Sequence, residues 1–183
     1  MKKIQIMVTA GVSLLILSGC SAAKTTAVTE AAPPPTSVSL SLIGSNNQPV
    51  GKAELTAVKD GVQLDVQVSG LPPGVHGIHI HEKAVCEAPT FDSAGSHFNP
   101  QKKEHGFLNP KGFHAGDLPN LVVDAQGNGT FRAVTKSAVL VPDKPNSLIK
   151  PDGFSLVIHE KEDDLKTDPS GNSGKRIACG GAK

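Results

Sequence analysis

From Glu82 to Asn120 the chain shows no hydrophobic periodicity, only a dense mix of Gly, Pro, Asn and His. A stretch of that length without structure of its own is improbable inside a compact domain unless it is functional or tied down. Something other than backbone ladders is therefore expected to staple it to the rest of the chain. The frame around it is legible on both sides. Short alternating runs occupy 38–44 (VSLSLIG), 52–71 (KAELTAVKDGVQLDVQVSGL, turning at Lys59-Asp60-Gly61) and 121–134 (LVVDAQGNGTFRAV, turning at Gly127-Asn128-Gly129). FSLVIHE at 154–160 and RIACG at 176–180 add two apolar strands. No helical period is sustained beyond residue 37, and turn signals recur at the spacing of an antiparallel sandwich or barrel, so the fold class is all-β. With six Phe and no Tyr or Trp in 183 residues, the core is expected to be aliphatic.

Residues 1–19 run from Lys2 and Lys3 through an apolar stretch interrupted by Gln5, Thr9 and Ser13, the layout of an export signal and too short for a spanning helix. LSGC at 17–20 closes the run and resembles the lipobox of bacterial lipoproteins, in which the Cys is acylated and becomes the new N-terminus. The plainer alternative is an ordinary secretory signal with a stray Cys. Residues 1–19 are read as a lipoprotein signal and Cys20 as lipidated, with two or more acyl chains giving a stable membrane anchor. Residues 20–37 are small, polar and proline-bearing, a tether unable to bury enough apolar surface to fold, and 38–183 form the domain. The expected location is extracytoplasmic, on a bacterial membrane.

Removal of Lys2 and Lys3 takes Lys+Arg from 18 to 16 against 17 Asp+Glu. A chain so close to neutrality gives no reason to expect nucleic acid as a partner. In an oxidising compartment Cys86 and Cys179 default to a disulfide, with two unrelated buried thiols as the alternative. The bridge would close a loop of roughly 90 residues, for which chain entropy gives about 4 to 5 kcal/mol at most.

Three of the chain's seven histidines fall in GVHGIHIHE, residues 74–82. Side chains at i and i+2 of a strand share a face, so His79 and His81 point together and His76 points away, which makes His76 a structural hydrogen-bonding residue. The aperiodic segment then supplies His97, His105, His114 and Asp117, and His159 arrives from a late strand. Three imidazoles and a carboxylate in a loop that needs a staple fit a closed tetrahedral zinc site. His79, His81 and His159 make only three further ligands, but one imidazole can serve two metals when both its nitrogens are deprotonated. Imidazole suits copper as well as zinc, and copper adds redox activity.

GIHIHE, AGSHFNP, EHG, HAGDLPN, VIHEKEDD and GNSGKRIACG, in this order, resemble the motifs of the copper/zinc superoxide dismutase family, bacterial branch, over residues 38–181. The resemblance implies a Greek-key β-sandwich or flattened barrel with long metal-binding and electrostatic loops, and disproportionation of superoxide to dioxygen and hydrogen peroxide. It implies copper on His79, His81, His97 and His159, and zinc on His97, His105, His114 and Asp117, with His97 as a bridging, catalytic imidazolate. Asp163 would link a ligand of each metal through their outer N–H groups, Arg176 would guide the anion at the copper channel, and Cys86 and Cys179 would form the family's disulfide. A homodimer is also implied, although CGGAK replaces the family's more apolar ending. Between Asp163 and Arg176 the loop is short, with Lys166 and Lys175 as its only bases, and Pro119 removes a backbone donor beside the zinc loop. The alternatives are a catalytically silent relative that binds zinc and buffers copper at the surface, or a metal-free adhesion sandwich. Loss of a copper ligand would mark the former, and all four positions carry His here.

Overall fold

A computed structural model describes residues 36–183; the signal segment, Cys20 and the tether up to residue 35 lie outside the described residues. Nine strands follow one another as β1 (Ser37–Gly44), β2 (Pro49–Val58), β3 (Gly61–Val68), β4 (Gly74–His76), β5 (Ile78–His81), β6 (Leu121–Val123), β7 (Gly129–Thr135), β8 (Phe154–His159) and β9 (Arg176–Ala182). They form one antiparallel sheet in the order β4-β6-β7-β3-β2-β1-β9-β8-β5. The two outermost strands are consecutive in sequence, parted only at Gly77. The run 74–81 therefore pairs with β6 at one edge and with β8 at the other, which brings the sheet nearly to closure as a barrel and leaves little free edge. Neighbours such as β3 and β7, or β5 and β8, are far apart in sequence, as Greek-key crossovers require.

His76 sits at the break between β4 and β5. Its Nδ1 lies 2.8 Å from the carbonyl oxygen of His159 and its Nε2 2.8 Å from that of Pro72, so the ring ties the run to the end of β8. It has the structural role expected of it.

Alternation decides what fills the barrel. On β3 Val62, Leu64, Val66 and Val68 point inward while Gln63, Asp65 and Gln67 face out. β8 breaks this rule, because all six of its residues are buried. Phe154, Leu156 and Ile158 join the main core, and Val157 packs on the opposite face against Phe91, Ala94 and Cys179 from the loop and β9. A strand covered on both faces reads as a continuous apolar run, which is how FSLVIHE appears in the sequence. The core is aliphatic apart from Phe91, Phe98, Phe131 and Phe154.

The long segment after β5 is the cover on that second face, and it is stapled in more than one way. Part of the staple is backbone pairing, contrary to expectation: Phe98 N–H donates to Ile80 O, Ile80 N–H to Gly116 O and Gly116 N–H to Phe98 O, each at 2.8 Å. Gly116 permits this approach, since a Cβ there would stand 2.2 Å from Ile80 O. A second part is the bridge between Cys86 and Cys179, 93 residues apart in sequence with Cα atoms 5.7 Å apart. Replacing both cysteines by Ser is expected to cost the metal-free protein about 2 to 5 kcal/mol, read from urea unfolding under oxidising conditions. An unchanged unfolding free energy would show that the bridge constrains nothing.

Candidate metal centre

The third part of the staple is a set of side chains. His79 and His81 project from β5, His159 from the last position of β8, and His97 from the loop where it pairs back on His81. One ring nitrogen of each lies within 4.8 Å of the others. His79 Nδ1, His81 Nε2, His97 Nε2 and His159 Nε2 are all buried and have no hydrogen-bond partner among the described residues. A buried polar atom left unpaired is costly, and four converging ones need a common partner. A cation accepts all four lone pairs at once, and an all-imidazole set suits copper.

The outer nitrogens of three of these rings are occupied, which fixes which nitrogen faces inward. His79 Nε2 lies 2.7 Å from Asp163 Oδ2, His81 Nδ1 3.0 Å from Gly95 O, and His159 Nδ1 3.3 Å from Gly174 O. The fourth ring, His97, turns its other nitrogen toward a second cluster. There the Nδ1 atoms of His97, His105 and His114 stand 3.0, 3.0 and 3.2 Å from Asp117 Oδ1, and His97 Nδ1 and His114 Nδ1 are 3.3 Å apart. Four ligands at about 2.0 Å from a tetrahedral centre lie about 3.3 Å from one another, so these atoms already stand near the corners of a zinc site. Asp117 Oδ2 is taken by the N–H groups of Gly106 at 2.9 Å and His114 at 3.0 Å, which leaves Oδ1 for a metal. Asp163 joins the clusters, because its other oxygen, Oδ1, lies 3.0 Å from His105 Nε2. It is fully buried, and a Cβ on Gly171 would stand 1.7 Å from Oδ1.

Two four-ligand clusters that share one ring, on a nearly closed antiparallel barrel, are the setting for the comparison with known proteins. The sequence model of the copper/zinc superoxide dismutase family matches residues 50–182. The chain belongs to the copper/zinc superoxide dismutase family. Superoxide dismutase [Cu-Zn] 2 of Aquifex aeolicus is 48% identical to it over 140 residues, covering 76% of this chain and 82% of that one. A superoxide dismutase-like protein of Bacillus subtilis is 43% identical over 141 residues, covering 76% of this chain and 72% of that one. Among solved structures, a SOD-like protein from Bacillus subtilis matches with a TM-score of 0.76 at 41% identity over 78% of this chain and 96% of that one. The Cu/Zn superoxide dismutase of Brucella abortus matches with a TM-score of 0.64 at 27% identity over 80% and 99%. The chain is thus a copper/zinc superoxide dismutase-type oxidoreductase, with copper and zinc as cofactors.

Charge in this dismutase-family site is arranged for metals. Burial and the nearby His79 push His97 down to about 3, burial and His79 likewise push His159 down to about 2, and burial and His97 hold His81 well below its ordinary value. Neutral imidazole is the form that binds metal. Burial works against the charge on His105 as well, but hydrogen bonds to Asp117 and Asp163 raise it to about 9. Burial also opposes the two carboxylates, yet their imidazole partners hold both below the usual range.

These shifts set an acid dependence for the metal-free protein. His79, His81, His97 and His159 are all held below their ordinary value by burial in the fold but take protons in the unfolded chain below about 6.5, so their contribution to stability is full above that pH and is lost as pH falls. His105 acts the other way, since its contribution is full below about 6.5 and is lost as pH rises through about 9. With four rings lowered against one raised, urea unfolding free energy is expected to fall by roughly 3 to 6 kcal/mol between about pH 7 and pH 5. A flat profile would contradict the neutral burial of these rings.

Access is narrow. His79 and His81 are fully buried, whereas His97, His159 and Arg176 line a cleft of about 390 Å³. Arg176 Nη1 donates to Phe91 O at 2.6 Å and Nη2 to Gly95 O at 2.8 Å, so its guanidinium is fixed beside the opening. Gly95 O thereby serves both Arg176 and His81. The second base in the cleft lining is Lys103 from the 82–120 loop, whereas neither Lys166 nor Lys175 lines it. Nothing in the sequence pattern singled out Lys103. A larger concavity, about 750 Å³ on the outer side of β1, β2, β3 and β7, contains none of these ligands.

Proposed function

We propose that this protein disproportionates superoxide at the cell envelope, with copper held by His79, His81, His97 and His159, zinc held by His97, His105, His114 and Asp117, and His97 shared between them. The observation that carries the reading is the convergence of four buried ring nitrogens with no partner of their own. Copper held there would supply one-electron redox chemistry, and the overall reaction takes two superoxide ions and two protons to dioxygen and hydrogen peroxide. The chain's own part is to choose, place and neutralise the anion. Arg176 puts a fixed positive charge at the cleft where a small anion has little shape to offer. His97 Nε2, the nitrogen that faces the first cluster on a ring held neutral at ordinary pH, is the atom placed to carry a proton to the peroxide. Asp163 keeps His79 and His105 in the tautomers that direct their Nδ1 atoms inward.

The envelope location rests on sequence: residues 1–19 as export signal and Cys20 as lipid anchor, with superoxide outside the cytoplasm as the substrate. The test is metal content together with superoxide consumption of the purified protein after supplementation with copper and zinc. About one copper and one zinc per chain with rapid turnover is the expected result. Zinc without copper, and no turnover, would favour the silent metal-buffering relative instead.

A further inference from the structure

Each ligand ring in the two clusters needs an acceptor for its outer nitrogen, and one ring lacks a direct one. His79 and His105 use Asp163, His81 uses Gly95 O, His159 uses Gly174 O, and His97 turns one nitrogen to each cluster. That leaves His114. Its Nδ1 faces the zinc cluster, and among the described residues no acceptor lies within direct hydrogen-bond reach of its Nε2. The nearest carboxylate is Asp168, whose Oδ1 stands 3.9 Å away. The same oxygen accepts the backbone N–H of His105 at 2.7 Å.

We propose that Asp168 is a positioning residue for the zinc site: its carboxylate holds the outer nitrogen of His114 across a gap that one water spans, while clamping the backbone of His105. The inference rests on the reading that the second cluster holds zinc. Asp168 lies on the 160–175 loop and His105 and His114 on the 82–120 loop, so Asp168 adds to the bonds that fasten the two loops, among them Leu108 N–H to Leu165 O at 2.8 Å and the 3.0 Å contact of Asp163 Oδ1 with His105 Nε2. A gap of this length at a half-exposed carboxylate suits a bridging water, which is nearly as good enthalpically as a direct bond. A ligating imidazole whose outer N–H is held by a carboxylate is oriented and made more basic, and losing such a partner costs about 10- to 100-fold in metal affinity.

The test uses the protein loaded with both metals and copper reduced, as parent, Asp168→Asn and Asp168→Ala. Zinc affinity is read by competition with a chelator, and ring and backbone N–H signals by nitrogen-15 NMR. Both variants are expected to bind zinc about tenfold more weakly, at the low end of that range because Asp168 is half exposed. The His114 Nε2–H signal should shift and exchange faster with water, while the ring signals of His79 and His105 stay in place. The backbone N–H of His105 should move in the Ala variant but not in the Asn variant, which keeps an oxygen for it. Zinc affinity within about twofold of the parent, or an unmoved His114 signal, would overturn the proposal. Equal disturbance of the His79 and His105 rings would also overturn it, by showing general loosening. A parent that bound no zinc would overturn the zinc reading itself, and the inference with it.

Discussion

His159→Ala is expected to strip the protein of copper and of turnover while leaving its zinc in place. The His159 ring is one of the four whose buried inner nitrogens have no other partner, and it belongs only to the first cluster. Losing an outer hydrogen-bond partner already costs about 10- to 100-fold in metal affinity, so losing the ligand itself should cost more than about a hundredfold. The four zinc-cluster groups are untouched, and their hydrogen bonds to Asp117 and Asp163 do not involve residue 159. Metal analysis per chain beside a superoxide assay reads the outcome. Copper retained at parental level with near-normal turnover would remove His159 from the copper set and reopen the assignment of all four rings.

How far the sequence reaches can be judged from these residues. The hairpin β2–β3 and the strands β7, β8 and β9 were visible because alternation and turn residues are local properties. The flattened barrel was implied by the family resemblance and not by the local pattern, because β4 and β6 have three residues each and closure lies in which distant edges meet. The segment 136–153 also escaped notice. Ala138, Leu140 and Leu148 in it are buried against the main core with no strand of their own to announce them. At the site, the i, i+2 spacing put His79 and His81 on one face correctly. It could not say that one ring turns Nδ1 inward and the other Nε2. That choice belongs to Asp163, 84 residues from His79 in sequence, and to a loop carbonyl at Gly95.

The same limit applies to the bases around the cleft. Lys175 precedes Arg176 in sequence and is one of the two bases of its loop, yet it does not line the cleft. Adjacent residues entering an extended strand point to opposite sides, so the neighbour of a cleft-facing side chain faces away. Lys103, distant in sequence, lines the cleft instead because the zinc loop is folded back over β5.

Arg176→Glu should produce the second large effect, a fall in kcat/KM that metal content does not explain. Superoxide carries one negative charge and almost no shape, so its capture depends on the field at the cleft. A unit charge about 6 Å from the anion is worth roughly 3 kcal/mol at an effective dielectric of 20, before salt screening. Arg176 is held at the opening by two carbonyls, so its charge is fixed in place and little is lost in orienting it. Arg176→Ala is expected to lower kcat/KM about tenfold and to flatten its fall with ionic strength. Reversing the charge should lower it further, to about a hundredfold at low salt, because a repelling group replaces an attracting one. The sign of the salt dependence then becomes diagnostic: added salt slows the parent by screening attraction, and it should speed the Glu variant by screening repulsion. Copper and zinc per chain should stay at parental values, since among the described residues Arg176 bonds Phe91 O and Gly95 O and no ligand atom, and Gly95 O remains in place for His81 Nδ1. Should the metal-replete Glu variant match the parent at low salt, guidance would fall to Lys103, the other base in the cleft, and Lys103→Glu would then show the loss and the inverted salt dependence expected here of Arg176.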